Sequence, residues 1–420
     1  MRHIVLFFCF IFIVAQAAES TVVLPKPSAN AGKSGTYQVQ TGVAGYSYFV
    51  SVPPKMPDDS HYGLHLFFHG QNGQSGASWF ALWQDKFIYT YGLIAINMCY
   101  ADGDNAKDTA GKVAVAKAAT LQVMADYPVV PGRGMIACFS GGGMPCGLWY
   151  SECARKRGLA WPFTAQALYS ANFQTSIEQI GSTGWYVGVN TDEWTLAGLG
   201  SSQTARYAEA LALFSKACPD HRLLVVNHVG HTIPPQGPVE AASLFRRIDL
   251  AYAPFLHEGS YPAKLAPIIA AANTGQLAAA VATMDKSKKD PAITTQTTEL
   301  RTRIEARMDA QIVLIANLSA SDPLLATWYG NVFLKGLKGH KREAELKTTL
   351  AVLAKENKAV PAANVLEAFS KGFSGVFDGG PIISKQGLPL LERLAQSCGE
   401  KSMYGMIATE LLALPHVKTP

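Results

Sequence analysis

The sequence has few charged residues and no concentrated block of either sign. Asp, Glu, Lys and Arg make up 16% of its 420 residues, and the formal net charge is only +5. No Lys- and Arg-rich run with interleaved aromatic residues marks a surface for nucleic acid. The apolar share of 48% is too high for a disordered chain. The composition therefore indicates a folded globular protein and argues against a nucleic-acid partner.

The sequence also lacks a long apolar run. Its N-terminal run, Ile4–Val14, is far shorter than the roughly 20 residues that span a bilayer. A basic residue, Arg2, precedes this run, and the small-residue pattern Ala15-Gln16-Ala17 follows it. This arrangement predicts that residues 1–17 are a signal peptide, that no segment spans a membrane, and that the protein is secreted or periplasmic.

No Cys-x-x-Cys pair is present, so a zinc ribbon or a redox motif has no support, and we predict neither a metal nor an organic cofactor. Of the seven cysteines, Cys9 falls in the signal peptide. The other six are compatible with disulfides in an oxidising compartment. Cys138, however, has the position of a small buried residue, for which a free thiol is the alternative.

Apolar runs alternate with helical stretches over the first part of the chain, which predicts a mostly parallel sheet covered by helices on both faces. Residues 18–35 are predicted to be a flexible lead-in, residues 36–254 an α/β domain and residues 255–420 an α-helical region. The predicted strands are Tyr46–Val52, with the alternation of an edge strand, and Leu64–Phe68, Leu93–Asn97, Met135–Phe139, Ala165–Tyr169, Trp185–Val189 and Leu223–Val226.

Beyond about Pro254 the period of the apolar residues changes from that of strands to that of helices. Leu300, Ile304, Met308, Ile312 and Ile315 fall at helical spacing, as do Leu346, Leu350 and Leu353. No fixed-period repeat indicates a solenoid. The region is therefore predicted to be a helical appendage, suited to contact with another protein or with the cell envelope.

The most informative stretch runs from a predicted strand directly into glycines, with Ser140 between them. A nucleophile on a sharp strand-to-helix turn needs small neighbours, because its backbone is strained and other segments approach closely. Cys138, Gly142 and Gly143 supply small side chains at these places. The lysine of a phosphate-binding loop is missing. We therefore predict that Ser140 is a nucleophile.

A serine nucleophile needs a histidine base and a carboxylate, which follow later strands in sheet enzymes of this type. The last predicted strand is followed by two histidines, and we favour His231 over His228 because a glycine precedes His231. The strand before it is followed by Asp192 and Glu193, of which Asp192 is favoured as the acid.

An acyl-transfer site also needs donors for the developing oxyanion. One predicted donor is the amide of Gly141, the residue that follows the nucleophile. The other is the amide of Gln71, which comes after the first parallel strand and the pair His69-Gly70.

Three segments carry a family resemblance: His69-Gly70, Phe139-Ser140-Gly141-Gly142-Gly143-Met144 behind Arg133, and Gly230-His231-Thr232-Ile233-Pro234. With these segments the chain resembles the branch of the α/β-hydrolases that contains poly(3-hydroxybutyrate) depolymerases and feruloyl and acetylxylan esterases. The resemblance covers roughly residues 36 to 250. Cys138 stands where that branch has glycine, Ile233 stands where it has tryptophan, and the acid loop lacks the branch's H-G-x-x-D form.

The resemblance implies an α/β-hydrolase fold and a secreted serine esterase that cleaves carboxylic esters through an acyl-enzyme. Ester substrates would include polyesters and acylated polysaccharides. Two alternatives remain open from the sequence: a serine peptidase of the same fold, and a non-catalytic hydrolase-like binding protein.

Overall fold

A computed structural model describes most of the chain outside its two termini and several loops. The described residues are 23–54, 61–70, 80–84, 88–100, 108–155, 163–171, 184–190, 220–226, 231–287, 291–356, 373–377, 380–383, 387–398 and 402–413. The predicted signal peptide lies outside them. Within these ranges, no helix has both the length and the apolar character needed to cross a membrane.

An eight-stranded sheet forms the centre of the α/β part. Its strands are Gly35–Gln40 (β1), Tyr46–Val52 (β2), Tyr62–Phe68 (β3), Leu93–Tyr100 (β4), Val129–Phe139 (β5), Ala165–Tyr169 (β6), Gly184–Asn190 (β7) and His221–Val226 (β8). Their spatial order is β1-β2-β4-β3-β5-β6-β7-β8. Strand β2 pairs antiparallel with both of its neighbours, and all other pairs are parallel. This order and this antiparallel second strand are those of the α/β-hydrolase fold.

The central strands form where the sequence has continuous apolar runs, because a parallel sheet is covered on both faces. All eight residues of β4 are buried, as are six of the seven in β3. All seven predicted strands are present, and the largest difference in length is at β5, which begins at Val129 instead of Met135. The prediction of β2 as an edge strand was wrong, because β1 pairs along its outer side and is the edge itself.

Helices flank this sheet and follow its strands. In the α/β part they are Phe80–Trp83 (α1), Tyr89–Tyr91 (α2), Thr109–Asp126 (α3), Gly143–Arg155 (α4) and Gly237–Tyr252 (α5). Asp108 caps the start of α3, because its carboxylate accepts a hydrogen bond from the Gly111 amide at 2.8 Å. Such a cap satisfies one of the amides that a helix leaves unpaired at its start.

The described residues beyond Pro254 are mainly helical, as predicted, and they include one short antiparallel strand pair. Its helices are Ala266–Asn273 (α6), Leu277–Ser287 (α7), Thr294–Ser321 (α8), Pro323–Gly336 (α9), Lys341–Glu356 (α10), Gly387–Cys398 (α11) and Met403–Leu412 (α12). The strand pair is formed by Phe373–Phe377 (β9) and Gly380–Ile383 (β10). In α8 the buried stripe includes Leu300, Ile304, Met308 and Ile315, so the helical period read from the sequence is confirmed there.

Buried ionic contacts join these helices to the α/β part across the predicted boundary at residue 254. Asp249 of α5 is fully buried and accepts hydrogen bonds from Arg133 of β5 at 3.0 Å and from Arg307 of α8 at 3.3 Å. Gln311 of α8 donates to the Leu250 carbonyl at 2.9 Å. Helix α8 therefore packs directly on α5, the last helix of the α/β part. The division of the chain into two domains at residue 254 remains a prediction from the sequence.

Two further groups of charged residues also join the α/β part to the C-terminal helices. Asp220, just before β8, is fully buried and binds Arg247 of α5 at 2.8 Å and the Tyr329 hydroxyl of α9 at 2.6 Å. Arg222 of β8 binds Glu240 of α5 at 2.7 Å and Glu410 of α12 at 2.6 Å. The C-terminal helices thus supply partners to charged groups on and beside the last strand of the sheet.

We expect Asp249→Asn to lower the free energy of unfolding by about 3–5 kcal/mol at neutral pH, since removing one member of a buried ion pair leaves its partners uncompensated. Burial alone would raise the pKa of Asp249, but the guanidinium groups of Arg133, Arg307 and Arg246 lower that pKa below its ordinary value. The stabilisation is therefore present above about pH 4, the ordinary range of a carboxyl group, and is lost as the pH falls through the lowered pKa.

Urea denaturation at a series of pH values checks this expectation, and the gap between wild type and variant should close at acid pH. Asp285→Asn is the matched control, because the side chain of Asp285 is 48% exposed and its partner Arg301 also pairs with Glu305. That change should cost no more than about 1 kcal/mol. Equal effects of the two substitutions would contradict the role assigned to Asp249.

Candidate active site

Ser140 lies in a strained turn directly after β5. It has a φ of 51°, in the left-handed region, and it is followed at once by a short 3₁₀ turn, Ser140–Gly142, and by α4. A non-glycine residue in this region stores strain of about 1–3 kcal/mol and persists only where its surroundings impose it. The turn exposes a serine side chain at the carboxyl edge of the parallel sheet, where α/β enzymes place reacting groups.

The backbone around this turn is packed so closely that Gly142 leaves no room for a side chain, and a side chain at Gly70 would press on Ser140. A Cβ atom on Gly142 would lie 2.3 Å from the Phe68 carbonyl oxygen and 2.7 Å from that of His69. A Cβ atom on Gly70 would lie 3.0 Å from the Cβ atom of Ser140 and 3.4 Å from its Oγ atom. The segment after β3 is thus in direct contact with the serine turn, as the glycines in the sequence indicated.

The structure brings His231 to Ser140. The Nε2 atom of His231 lies 2.7 Å from the Oγ atom of Ser140, although 91 positions separate the two residues in the chain. The imidazole ring also packs on the Phe139 ring, with 4.9 Å between the ring centroids. A neutral imidazole nitrogen at this distance accepts the hydroxyl proton, which is the contact that activates a serine nucleophile.

A second strained serine holds the segment that carries this histidine. Ser170 follows β6, has a φ of 47° and is 2% exposed. Its hydroxyl donates to the Thr232 carbonyl oxygen at 3.0 Å. Sequence reasoning did not identify Ser170, although it directly follows the predicted strand Ala165–Tyr169 at the same edge of the sheet as Ser140.

The turn His69-Gly70 is held by its own side chain. The Nδ1 atom of His69 lies 2.6 Å from the Gly70 carbonyl oxygen, and because a carbonyl only accepts, Nδ1 carries the proton. His69 is fully buried. The peptide bond that begins at the Gly70 carbonyl also contains the amide of Gln71, one of the two predicted oxyanion donors.

Several predicted site residues lie outside the described part of the chain: Gln71, Asp192, Glu193 and the alternative base His228. Strand β7 ends at Asn190, two residues before Asp192, and runs parallel to β6 and β8. Gly141 is described, and it lies in the first turn after Ser140. Amides at the start of such a turn have no partner further back in the helix, so they are suited to an anion.

Four of the cysteine side chains that the structure describes form no disulfide. They are Cys99, Cys138, Cys146 and Cys398, so a scheme that pairs all six remaining cysteines does not hold. Cys138 is fully buried two residues before Ser140, and burial raises the pKa of its thiol well above the ordinary value. A thiol in this state is small and unreactive, which suits a buried position in β5 just before the turn. Among the described residues, no group of His, Cys, Asp and Glu is arranged to hold a metal ion.

No family model and no curated protein sequence matches the chain. Solved structures with a similar fold include a thermostable esterase with 15% identity and a TM-score of 0.37, whose match covers 49% of this chain and 58% of the esterase. Est1E from Butyrivibrio proteoclasticus has 10% identity and a TM-score of 0.37, with 50% of this chain and 96% of Est1E covered. An acetyl xylan esterase from Aspergillus awamori has 14% identity and a TM-score of 0.34, with 48% and 95% covered.

We expect Gly142→Ala to abolish the contact between the serine turn and the segment after β3, because its Cβ atom would overlap two backbone carbonyls that cannot rotate away. Hydrolysis of any substrate processed at Ser140 should fall by a factor of about 100 or more, since displacements of about 1 Å have effects of this size. Steady-state kinetics measures the loss.

Gly42→Ala is the control for this substitution. Gly42 has an ordinary φ, and its added Cβ atom would meet nothing within 4 Å. Wild-type turnover in Gly142→Ala would show that the turn is not confined as the structure indicates.

Proposed function

We propose that this protein is a secreted or periplasmic serine esterase that hydrolyses carboxylic esters through an acyl-enzyme. The observation that carries the proposal is the 2.7 Å contact between Ser140 Oγ and His231 Nε2, made by a serine held at a φ of 51° after a central parallel strand. This combination presents a hydroxyl next to its base at the open edge of the sheet. Ser170 has a similar φ, but its hydroxyl donates to a backbone carbonyl, whereas that of Ser140 meets a histidine nitrogen.

The proposed reaction has two halves. His231 takes the proton of Ser140 as Oγ attacks the ester carbonyl carbon, and the tetrahedral intermediate collapses when His231 gives that proton to the departing alkoxide. Water then attacks the carbonyl carbon of the acyl-serine while His231 takes a proton from it. When the bond between this carbon and Ser140 Oγ breaks, His231 gives the proton to Oγ, and the carboxylic acid departs. Asp192 is proposed to orient the imidazole, and the amides of Gly141 and Gln71 to bind the oxyanion.

The substrate class is proposed from the resemblance described above: polyesters or acylated polysaccharides outside the cytoplasm. Secretion is proposed from the basic, apolar and small-residue segments of residues 1–17. A polymeric substrate is consistent with export, because a polymer cannot enter the cell. A serine peptidase of the same fold is the alternative, and a comparison of ester and amide substrates distinguishes the two.

We expect Ser140→Ala to remove ester hydrolysis, with a loss in kcat on the order of 10⁶, because no other described group replaces the attacking oxygen. Hydrolysis of short-chain p-nitrophenyl esters measures the loss, and labelling by a fluorophosphonate probe should disappear with it. Ser243→Ala is the matched control, since the Ser243 hydroxyl on α5 donates only to the Val239 carbonyl. Labelling or turnover retained in Ser140→Ala would refute the assignment.

His231→Ala should be nearly as damaging as Ser140→Ala, and the double variant little worse than either, because members of one catalytic unit are not additive. His228→Ala should retain most of the turnover of the folded fraction. Kinetics corrected for folded protein by circular dichroism separates the two. If His228→Ala were the inactive variant, the base would have to be reassigned.

A screen that compares p-nitrophenyl esters, feruloylated and acetylated polysaccharides, poly(3-hydroxybutyrate) and peptide p-nitroanilides tests the substrate class. Ester turnover without amide turnover supports an esterase. Amide turnover at a comparable kcat/KM would favour the peptidase. Absence of fluorophosphonate labelling in the wild-type protein would favour the non-catalytic alternative.

A further inference from the structure

The carbonyl group of His69 occupies a position from which it controls the segment that touches Ser140. The residue after it, Gly70, lies against the serine side chain, and a Cβ atom on Gly142 would lie 2.7 Å from the His69 oxygen. Because each peptide unit is planar, a rotation of this carbonyl carries the following amide with it. The direction of the His69 carbonyl therefore sets the position of the Gly70 backbone that lies against Ser140.

Tyr100, the last residue of β4, holds this carbonyl. Its hydroxyl donates a hydrogen bond to the His69 carbonyl oxygen, from a residue 31 positions away in the chain. Its ring also stacks on the His69 imidazole, with 3.9 Å between centroids and 22° between planes. Tyr100 is 3% exposed, and burial raises the pKa of its hydroxyl well above the ordinary value, so the hydroxyl keeps its proton and remains a donor.

Lys112 of α3 in turn contacts the ring of Tyr100. Its Nζ atom lies 4.1 Å from the centroid of that ring, and the side chain is only 1% exposed. A cation at this distance from an aromatic face is attracted by the ring, and more strongly where water is excluded. Burial lowers the pKa of Lys112, and the nearby carboxylate of Asp108 acts in the opposite direction. The start of α3 thus contacts the Tyr100 ring that stacks on His69.

We propose that Tyr100, held in place by Lys112, is a positioning residue for ester hydrolysis. It fixes the His69–Gly70 backbone, so that the Ser140 turn packed against it and the amide of Gly141 keep their geometry. This proposal rests on the proposed function. Neither side chain is assigned a proton transfer or a contact with substrate. Their effect is on the backbone carbonyl of His69, and so on how well the site binds the charge that develops in the transition state.

Tyr100→Phe is the sharpest test, because it keeps the stacked ring and removes only the hydroxyl. We expect kcat for a short-chain p-nitrophenyl ester to fall about 10- to 100-fold, the range for a displaced rather than a deleted oxyanion donor, with KM changed by less than about threefold. A trifluoromethyl ketone, whose adduct with Ser140 carries an oxyanion, should lose affinity by a similar factor. A folding defect would lower the amount of active protein, but it would not lower the kcat and the inhibitor affinity of the folded fraction together.

Tyr37→Phe is the matched control. Tyr37 is also a buried tyrosine, on β1, and its hydroxyl bonds that of Tyr127 at 2.8 Å, away from the serine turn. It should keep the kcat and the inhibitor affinity of the wild type. Lys112→Met keeps the length of the side chain and removes its charge, and we expect a smaller loss in kcat, about two- to tenfold.

The outcomes separate the two proposals. If the wild type hydrolyses esters and reacts with a fluorophosphonate, yet Tyr100→Phe keeps both kcat and inhibitor affinity within about twofold, the positioning role is overturned. A fall in kcat without a parallel fall in inhibitor affinity also overturns it. If Tyr100→Phe does not fold, the kcat and the inhibitor affinity of Lys112→Met decide the question instead. A wild type that neither hydrolyses esters nor reacts with the probe would instead refute the proposed function.

Discussion

The close approach between the serine turn and the end of β3 is the constraint on which the rest of the site depends. Strands β3 and β5 are neighbours in parallel register, with Phe68 opposite Cys138, so the segments that follow them leave the sheet side by side. Gly142 and Gly70 allow these two backbones to touch. One short segment therefore presents Ser140, the proposed nucleophile, and the other presents the backbone that faces it.

Strain at this edge of the sheet is concentrated in two serines. Within the described residues, Ser140 and Ser170 are the two non-glycine residues with a positive φ, and they follow the adjacent strands β5 and β6. Each costs about 1–3 kcal/mol, which packing elsewhere must offset. Both make a contact with the segment that follows β8: Ser140 binds the His231 ring, and Ser170 binds the carbonyl of the next residue. Both strained serines thus contact the short segment that contains His231 and help to fix its position.

The C-terminal helices stabilise α5 and the last strand of the large sheet, β8. Charged residues on or beside β5, β8 and α5 are buried, and they find partners on α8, α9 and α12: Asp249 with Arg307, Asp220 with Tyr329, and Arg222 with Glu410. A buried charge without its partner is strongly unfavourable. The helical region is therefore part of what keeps β8, the strand before the histidine segment, in place. The contact of this region with another protein or with the cell envelope stays a prediction from the sequence.

The sequence by itself determined seven strands of the large sheet, the long helix α8 and the serine turn, because each depends on local properties: apolar runs, helical spacing and small residues beside Ser140. The edge strand β1 and the pair β9–β10 were missed, since short strands with mixed residues resemble loops until a partner is known. Only the tertiary structure decided the pairings of Ser170 with Thr232, Tyr100 with His69 and Arg307 with Asp249, which join residues 62, 31 and 58 positions apart. Such contacts depend on which strands become neighbours, and no local pattern records that choice.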